Sequence, residues 1–193
     1  GQLPLSESLA ALSMIDDEDG IKQQCHALVH YLGQNEYARE KNLAATFRSC
    51  LSSPVACGEG CFHGAVEGYV AEHGGELSPR DIPNICNKSF ATNQVTYDAC
   101  VHGLGHAFML QYDGDIHVSL TSCRNLSAYS DRQYCYAGVF MENVFSFWTP
   151  EHQSKFIRPE EPTYPCDVVE RGYQPQCYSA QAAFVINLSL RPD

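Results

Sequence analysis

The sequence predicts an all-α protein made of about five disulfide-stapled helical hairpins, which form a compact helical array or toroid. Apolar residues recur with the 3.6-residue period of an α-helix, and runs of alternating Val, Ile and Thr are scarce. Five cysteines open stretches of helical pattern at spacings of 36, 39, 35 and 42 residues, within the range of helix–turn–helix repeats. We therefore interpret residues 1–193 as a single helical-repeat domain. The five cysteines are Cys25, Cys61, Cys100, Cys135 and Cys177.

The first repeat predicts two helices. After Cys25 the apolar residues follow the helical period, and Gly33 is expected to end this helix because glycine commonly follows a helix C-terminus. Residues 35–49 (NEYAREKNLAATFRS) are rich in good helix formers and predict a second helix that leads to Cys50.

The next two repeats carry copies of one unit. HGAVEGYVAEHGGEL (63–77) follows Cys61, and HGLGHAFMLQYDGDI (102–116) follows Cys100. Gly74–Gly75 breaks the helical period in the first copy, and Asp113–Gly114 breaks it in the second. Gly64 and Gly103, one residue after each histidine, remove side-chain bulk and predict close contact between helices.

The last two repeats depart from this unit. The fourth helical stretch, CYAGVFMENVFSFW (135–148), keeps the cysteine and the glycine but has no histidine. The fifth, CYSAQAAFVINL (177–188), has neither a histidine nor a carboxylate. The proline-rich segments SPRDIP (78–83) and RPEEPTYP (158–165) are typical of loops.

Ten cysteines, an even number, predict an oxidising compartment, so we expect a secreted or periplasmic protein. Four cysteines stand 11 to 14 residues before those that open repeats, which favours a disulfide from the end of one helix to the start of the next. This periodic pairing predicts the bonds 50–61, 86–100, 123–135 and 166–177, and it leaves Cys25 for Cys57. Sequons at Asn87, Asn125 and Asn187 permit glycosylation in a secreting eukaryote, although such triplets also arise by chance.

Net charge argues against nucleic acid as a partner, and hydropathy argues against a membrane-spanning segment. The net charge of −11 repels phosphate backbones, so we expect no nucleic-acid binding. No apolar run approaches about 20 residues, so we expect neither a membrane span nor a signal peptide.

The histidines carry the chemistry. Residues four apart share a helical face, so His26 with His30, His102 with His106, and His63 with Glu67 can each point at one object. Imidazole and carboxylate are normal ligands of transition metals. One such pair is weak support, but three pairs at equivalent points of a repeat predict a metal site on the inner face of the array.

The sequence therefore predicts a secreted metal-binding protein, with iron, copper, zinc or manganese as the divalent transition metal. If it is an enzyme, the metal activates water or dioxygen in a hydrolase or an oxidoreductase, and Glu67 or Glu142 is the candidate catalytic residue that moves protons. The predicted metal ligands are His63, Glu67, His102, His106, His26 and His30, and Glu142 is a weaker candidate in the apolar run of the fourth repeat.

Two alternatives stay open at this level. The histidines and glutamates can form a buried hydrogen-bonded ladder that registers one repeat against the next without metal. The protein can also be a structural or interaction protein, such as a self-assembling extracellular subunit that associates through the ends of the array, for instance through AAFVINLSL (182–190). We expect His73, His117 and His152, in turn or loop contexts, to be surface residues.

Other metal motifs do not fit. The stretch CGEGCFH (57–63) lacks the C-x-x-C-H spacing of a c-type haem, and H-E-x-x-H is absent. Neither DDEDG (16–20) nor YDGDIH (112–117) has the spacing of an EF-hand, and both are interpreted as acidic turns.

Overall fold

The structure, a computed structural model, describes residues 3–15, 21, 24–52, 59–73, 78–86, 93–147 and 154–189. All regular secondary structure in these ranges is helical, which confirms the all-α fold class. The hairpin grouping and the closure into a toroid stay predictions. The helices are α1 (Leu5–Ser13), α2 (Cys25–Glu40), α3 (Leu43–Leu51), α4 (Gly60–His73), α5 (Ile82–Ile85), α6 (Gln94–Gln111), α7 (Ile116–Cys123), α8 (Tyr129–Ser146) and α9 (Gln174–Ser189).

The four long helices α2, α4, α6 and α8 pack against each other in chain order, and α9 packs against α8. The short helix α3 lies against α2 and α4, and α7 lies in the same way against α6 and α8. The core between these helices is continuous and contains fully buried aromatic residues such as Phe47, Phe108 and Phe140.

Glycines set the close approach of α2 to α4. A Cβ atom on Gly64 would lie 1.9 Å from the carbonyl oxygen of His30, and one on Gly33 would lie 2.2 Å from that of Cys61. No side chain fits at such distances, so the two backbones touch directly. Gly103 makes a similar close contact between α6 and α4, since its Cβ would lie 3.0 Å from the Cα of His63. The expected role of Gly64 and Gly103 in helix contact is confirmed.

The contact between α6 and α8 repeats this arrangement. A Cβ on Gly105 would lie 2.2 Å from the carbonyl oxygen of Cys135, and one on Gly138 would lie 2.0 Å from that of His102. Sequence patterning did not single out these two glycines as contact points.

Disulfides join the helices as the periodic pairing predicts. Each bond ties one of the long helices, or α9, to the segment that precedes it in the chain. Cys25 is also disulfide-bonded, and its predicted partner Cys57 lies outside the described residues. Three other predictions also concern residues outside the described ranges, namely those for Asn87, residues 16–20 and His152. The confirmed bonds are Cys50–Cys61, Cys86–Cys100, Cys123–Cys135 and Cys166–Cys177.

The predicted end of the first helix at Gly33 is wrong. Helix α2 continues through Gly33 to Glu40, because this buried glycine serves helix contact and not termination. The residue that caps its C-terminus is Lys41, which adopts the left-handed conformation with φ 51°. Residues 35–49 therefore belong to two helices. Asn42 caps the second by accepting a hydrogen bond from the Ala45 N–H at 2.9 Å.

Two further boundaries differ from expectation. Cys100 and Cys135 do not open their helices, since α6 begins at Gln94 and α8 at Tyr129. Helix α6 starts at a capping box in which Asn93 accepts from the Thr96 N–H at 2.9 Å, a short-range polar signal that apolar periodicity does not register.

The predicted loop contexts of two histidines are also wrong. His73 is the last residue of α4, and His117 is the second residue of α7, whose N-cap is Asp115. His73 is half-buried, and His117 is exposed. The stop near Asp113–Gly114 is confirmed, because both residues have positive φ. Among the described helices, none has the length and apolar character needed to cross a lipid bilayer.

Candidate metal centre

All seven side chains that the sequence analysis selected lie in one cluster between the four long helices. On α2, α4 and α6 the two selected residues share one face of the helix, because they stand four positions apart. His26 and His30 come from α2, His63 and Glu67 from α4, His102 and His106 from α6, and Glu142 from α8.

Four imidazoles form the centre of the cluster. His26, His30, His63 and His106 each offer a ring nitrogen, and these four atoms lie within 4.8 Å of one another. The Nε2 atom of His30 is 2.9 Å from Nε2 of His26 and 3.3 Å from Nδ1 of His63. The His106 ring centroid is 4.9 Å from that of His30 and 5.1 Å from that of His63.

These separations suit a single ion. Nitrogens bound at about 2.0–2.1 Å to a tetrahedral metal lie about 3.3–3.4 Å from each other. The distance from His30 to His63 matches this edge, and the shorter distance from His26 to His30 is that of two nitrogens which share a hydrogen bond. A group of His/Glu residues that can hold a metal ion is therefore present.

Carboxylates orient two of the imidazoles. Oε1 of Glu67 lies 2.7 Å from Nδ1 of His30, and Oε2 of Glu142 lies 2.8 Å from Nδ1 of His106. A carboxylate at this position accepts a hydrogen bond from the Nδ1–H group, which keeps the proton on Nδ1 and the lone pair on Nε2. Metal-binding histidines have this kind of support in most characterised sites.

Three imidazole nitrogens in the cluster have no hydrogen-bond partner among the described residues. They are Nε2 of His63, His102 and His106, and all three atoms are buried. An unpaired polar atom in a protein interior costs free energy, and such atoms are rare in native proteins. A hydrogen-bonded ladder would pair these nitrogens, so their state weighs against that alternative.

Burial keeps three of the histidines neutral. Burial lowers the pKa of His63 and of His106 well below the ordinary value, and the positive charges of neighbouring imidazoles lower it further. The pKa of His102 falls to about 4 for the same two reasons. Neutral imidazole is the form that binds metal, so these rings need release no proton before binding.

The pKa values of His30 and Glu142 shift upward, opposite to those of the three neutral histidines. Burial lowers the pKa of His30, but the charge and hydrogen bond of Glu67, with the charge of Glu142, outweigh burial, and the pKa rises. Burial and the charge of Glu67 raise the pKa of Glu142 to about 7, against an opposing contribution from His30. The protonated forms of both His30 and Glu142 are thus favoured.

Sequence reasoning missed two residues of the site. Gln34 donates from Nε2 to Oε2 of Glu67 at 2.7 Å, and Phe145 stacks on His26 with ring centroids 5.5 Å apart and planes 24° apart. Both stand at helical spacing from selected residues, Gln34 four after His30 and Phe145 three after Glu142. That spacing is the signal by which they are detectable.

His102 lies at the edge of the cluster. Its ring centroid is 4.7 Å from that of His63 and 5.0 Å from that of His106, but it does not belong to the group of four converging nitrogens.

A cleft reaches the cluster from the surface. It has a volume of about 760 Å³ and lies between α2, α4 and α6. Glu67, which is buried, forms part of its lining together with Gln34, Gln111 and Lys41. The cleft gives solvent and small solutes a path to Glu67.

Comparison of the chain with protein-family models, curated proteins and solved structures gave no match. The geometry of the site is therefore the basis for the proposed class of protein.

Proposed function

We propose that this chain is a secreted or periplasmic metal-binding protein whose centre is held by His26, His30, His63 and His106. The observation that carries the proposal is the convergence of four imidazole nitrogens within 4.8 Å. The buried and unpartnered Nε2 atom of His106 supports it, because a bound ion would satisfy this atom. Glu67 and Glu142 serve this centre by orienting His30 and His106.

The donor atoms narrow the choice of metal ion. Imidazole nitrogens suit zinc, copper and iron, whereas carboxylates add manganese to the range. A group of four imidazoles favours zinc or copper at this position. The disulfides suggest an oxidising compartment, and every cysteine that the structure describes is disulfide-bonded, so none of these offers a thiolate ligand.

A catalytic role extends the proposal. An ion bound here with one coordination place left open would activate water or, in the case of copper, dioxygen, and the centre would then suit a hydrolase or an oxidoreductase. Glu142 has its pKa raised to about 7 and is suited to move protons at neutral pH, and Glu67 is the candidate carboxylate that lines the cleft.

The first experiment is metal analysis by mass spectrometry on protein matured in an oxidising compartment. We expect stoichiometric metal in the wild type and its loss in a His63→Ala/His106→Ala variant. A His73→Ala/His117→Ala variant is the matched control, because it removes two histidines outside the cluster and should keep the metal. Circular dichroism and a thiol assay establish that each variant has folded.

Absence of metal from the wild type, including after incubation with zinc or copper, would contradict the proposal. The histidines would then be packing residues of a structural or self-assembling protein. Light scattering of the wild type would measure self-association in that case.

A further inference from the structure

We propose that the centre is dinuclear, with a second metal ion bound by Glu67, His106 and Glu142 on the cleft side of the cluster. This inference rests on the proposed metal-binding function and adds to it a position, a ligand set and a route for solutes.

The ligand count supports two ions. Closed zinc sites use four protein ligands, and the four-imidazole group supplies that number by itself. The two carboxylates are not members of that group, although they lie in the same cluster. Glu67, His106 and Glu142 form a group of their own, with one ligand atom from each within 4.8 Å of the others.

His106 is common to both groups and has two ring nitrogens to offer. Its Nδ1 atom lies 2.8 Å from Glu142, and its buried Nε2 atom, on the other edge of the ring, has no partner among the described residues. Nε2 can therefore bind the ion of the imidazole group, and Nδ1 can bind the second ion. Binding through Nδ1 requires that the Nδ1 proton leave the ring, and we assign this proton to solvent through the cleft.

The surroundings of the carboxylates also favour a cation. Only 2% of the Glu67 side chain and 18% of the Glu142 side chain are exposed. Within the described part of the chain, their ion-pair partners are His30 and His106, and no lysine or arginine reaches either carboxylate. Buried carboxylates without such partners are often found as metal ligands, because burial of unpaired charge is costly.

The two positions differ in their access. The imidazole position has four protein ligands, which is the closed arrangement of structural zinc sites. The carboxylate position has three protein ligands, and one of them, Glu67, lines the cleft of about 760 Å³. A fourth place on the second ion is thus open to water or to an oxygen-donor solute. Mixed carboxylate and imidazole ligands on facing helices of a helical core suit iron, manganese or zinc.

The test counts ions by native mass spectrometry on folded, disulfide-intact protein reconstituted with zinc alone. We expect two zinc ions per chain in the wild type and one in Glu142→Gln, which keeps the shape of the side chain but removes its charge. His26→Ala changes only the imidazole group and should keep one ion. Glu72→Gln, on the same helix as Glu67 but outside the cluster, is the control and should keep two.

Each outcome separates this inference from the proposed function. One ion in both the wild type and Glu142→Gln would overturn the second position and leave the metal-binding function intact. Two ions in Glu142→Gln would overturn the assignment to Glu142. No ion in Glu142→Gln beside two in the wild type would overturn the independence of the two positions. No ion in any protein would overturn the metal-binding function itself.

Discussion

Gly64 lies so close to His30 that a Cβ atom at position 64 would come within 1.9 Å of the His30 carbonyl oxygen. This contact joins α4 to α2 next to the proposed metal centre. Both helices carry proposed ligands, so the packing of the backbone and the geometry of the site depend on the same contact.

Substitution of Gly64 by alanine should therefore damage both stability and metal binding. The clashing atom belongs to the backbone and cannot move away, so α2 and α4 must separate. We expect a loss of about 3 kcal/mol or more in the free energy of unfolding, at the upper end of over-packing effects. Urea unfolding and metal analysis measure the two losses. Gly172→Ala is the control, because a Cβ there meets nothing within 4 Å, and equal losses in both variants would contradict the argument.

Chelation should lower the melting temperature of the wild type. A ligand that binds only the folded state stabilises it by mass action, by about 2.7 kcal/mol at a concentration one hundred times Kd. For a chain of this size, that corresponds to about 5–10 °C. Differential scanning fluorimetry with and without a chelator measures the shift. We expect no shift in His63→Ala/His106→Ala and the full shift in His73→Ala/His117→Ala, and a full shift in the former would place the metal elsewhere.

The metal-free protein should lose stability in acid through His102. The pKa of this histidine falls from 6.5 to about 4 on folding, chiefly because of burial. Between those pH values the unfolded chain binds a proton that the folded chain does not, so stability falls as pH falls. The loss is on the order of 3 kcal/mol, from about 1.4 kcal/mol per pKa unit.

Glu142 opposes this trend, because its raised pKa of about 7 makes the folded state lose stability as pH rises. The raised pKa of His30 acts in the same direction as Glu142. The effect of His102 is isolated by comparing the wild type with His102→Gln in urea unfolding at pH 7 and pH 4. We expect the wild type to lose more stability than the variant between these values. An equal loss in both proteins would mean that His102 is not held neutral.

Removal of the 86–100 disulfide should weaken metal binding more than removal of the 166–177 disulfide. Cys100 lies on α6, which carries the proposed ligand His106, whereas Cys177 lies on α9, which carries none of the proposed ligands. The bonds span 14 and 11 residues, so their effects on the unfolded chain are similar, about 3 kcal/mol each. Competition with a chromophoric chelator compares the Cys86→Ser/Cys100→Ser and Cys166→Ser/Cys177→Ser variants. Equal affinities would mean that the disulfide does not position α6.

The helical class and four disulfide pairs follow from the sequence because each is a local property. The apolar period depends on neighbours within two turns, and the cysteines of a pair stand only 11 to 14 residues apart. Helix ends were less predictable. Gly33 has the signature of a helix stop, but its contact with Cys61 on another helix overrides that preference.

The sequence by itself determined which side chains share a helical face, and so it selected the seven residues of the cluster. Only the tertiary structure decided which of them meet, since residues on different helices, such as His30 and Glu67, are 37 positions apart and are joined by backbone contact at Gly64. The tertiary structure also decided that Gln34 and Phe145 belong to the site and that His102 stands at its edge. The physical reason is that helical periodicity defines a direction for each side chain, whereas distance across helices depends on how closely their backbones pack.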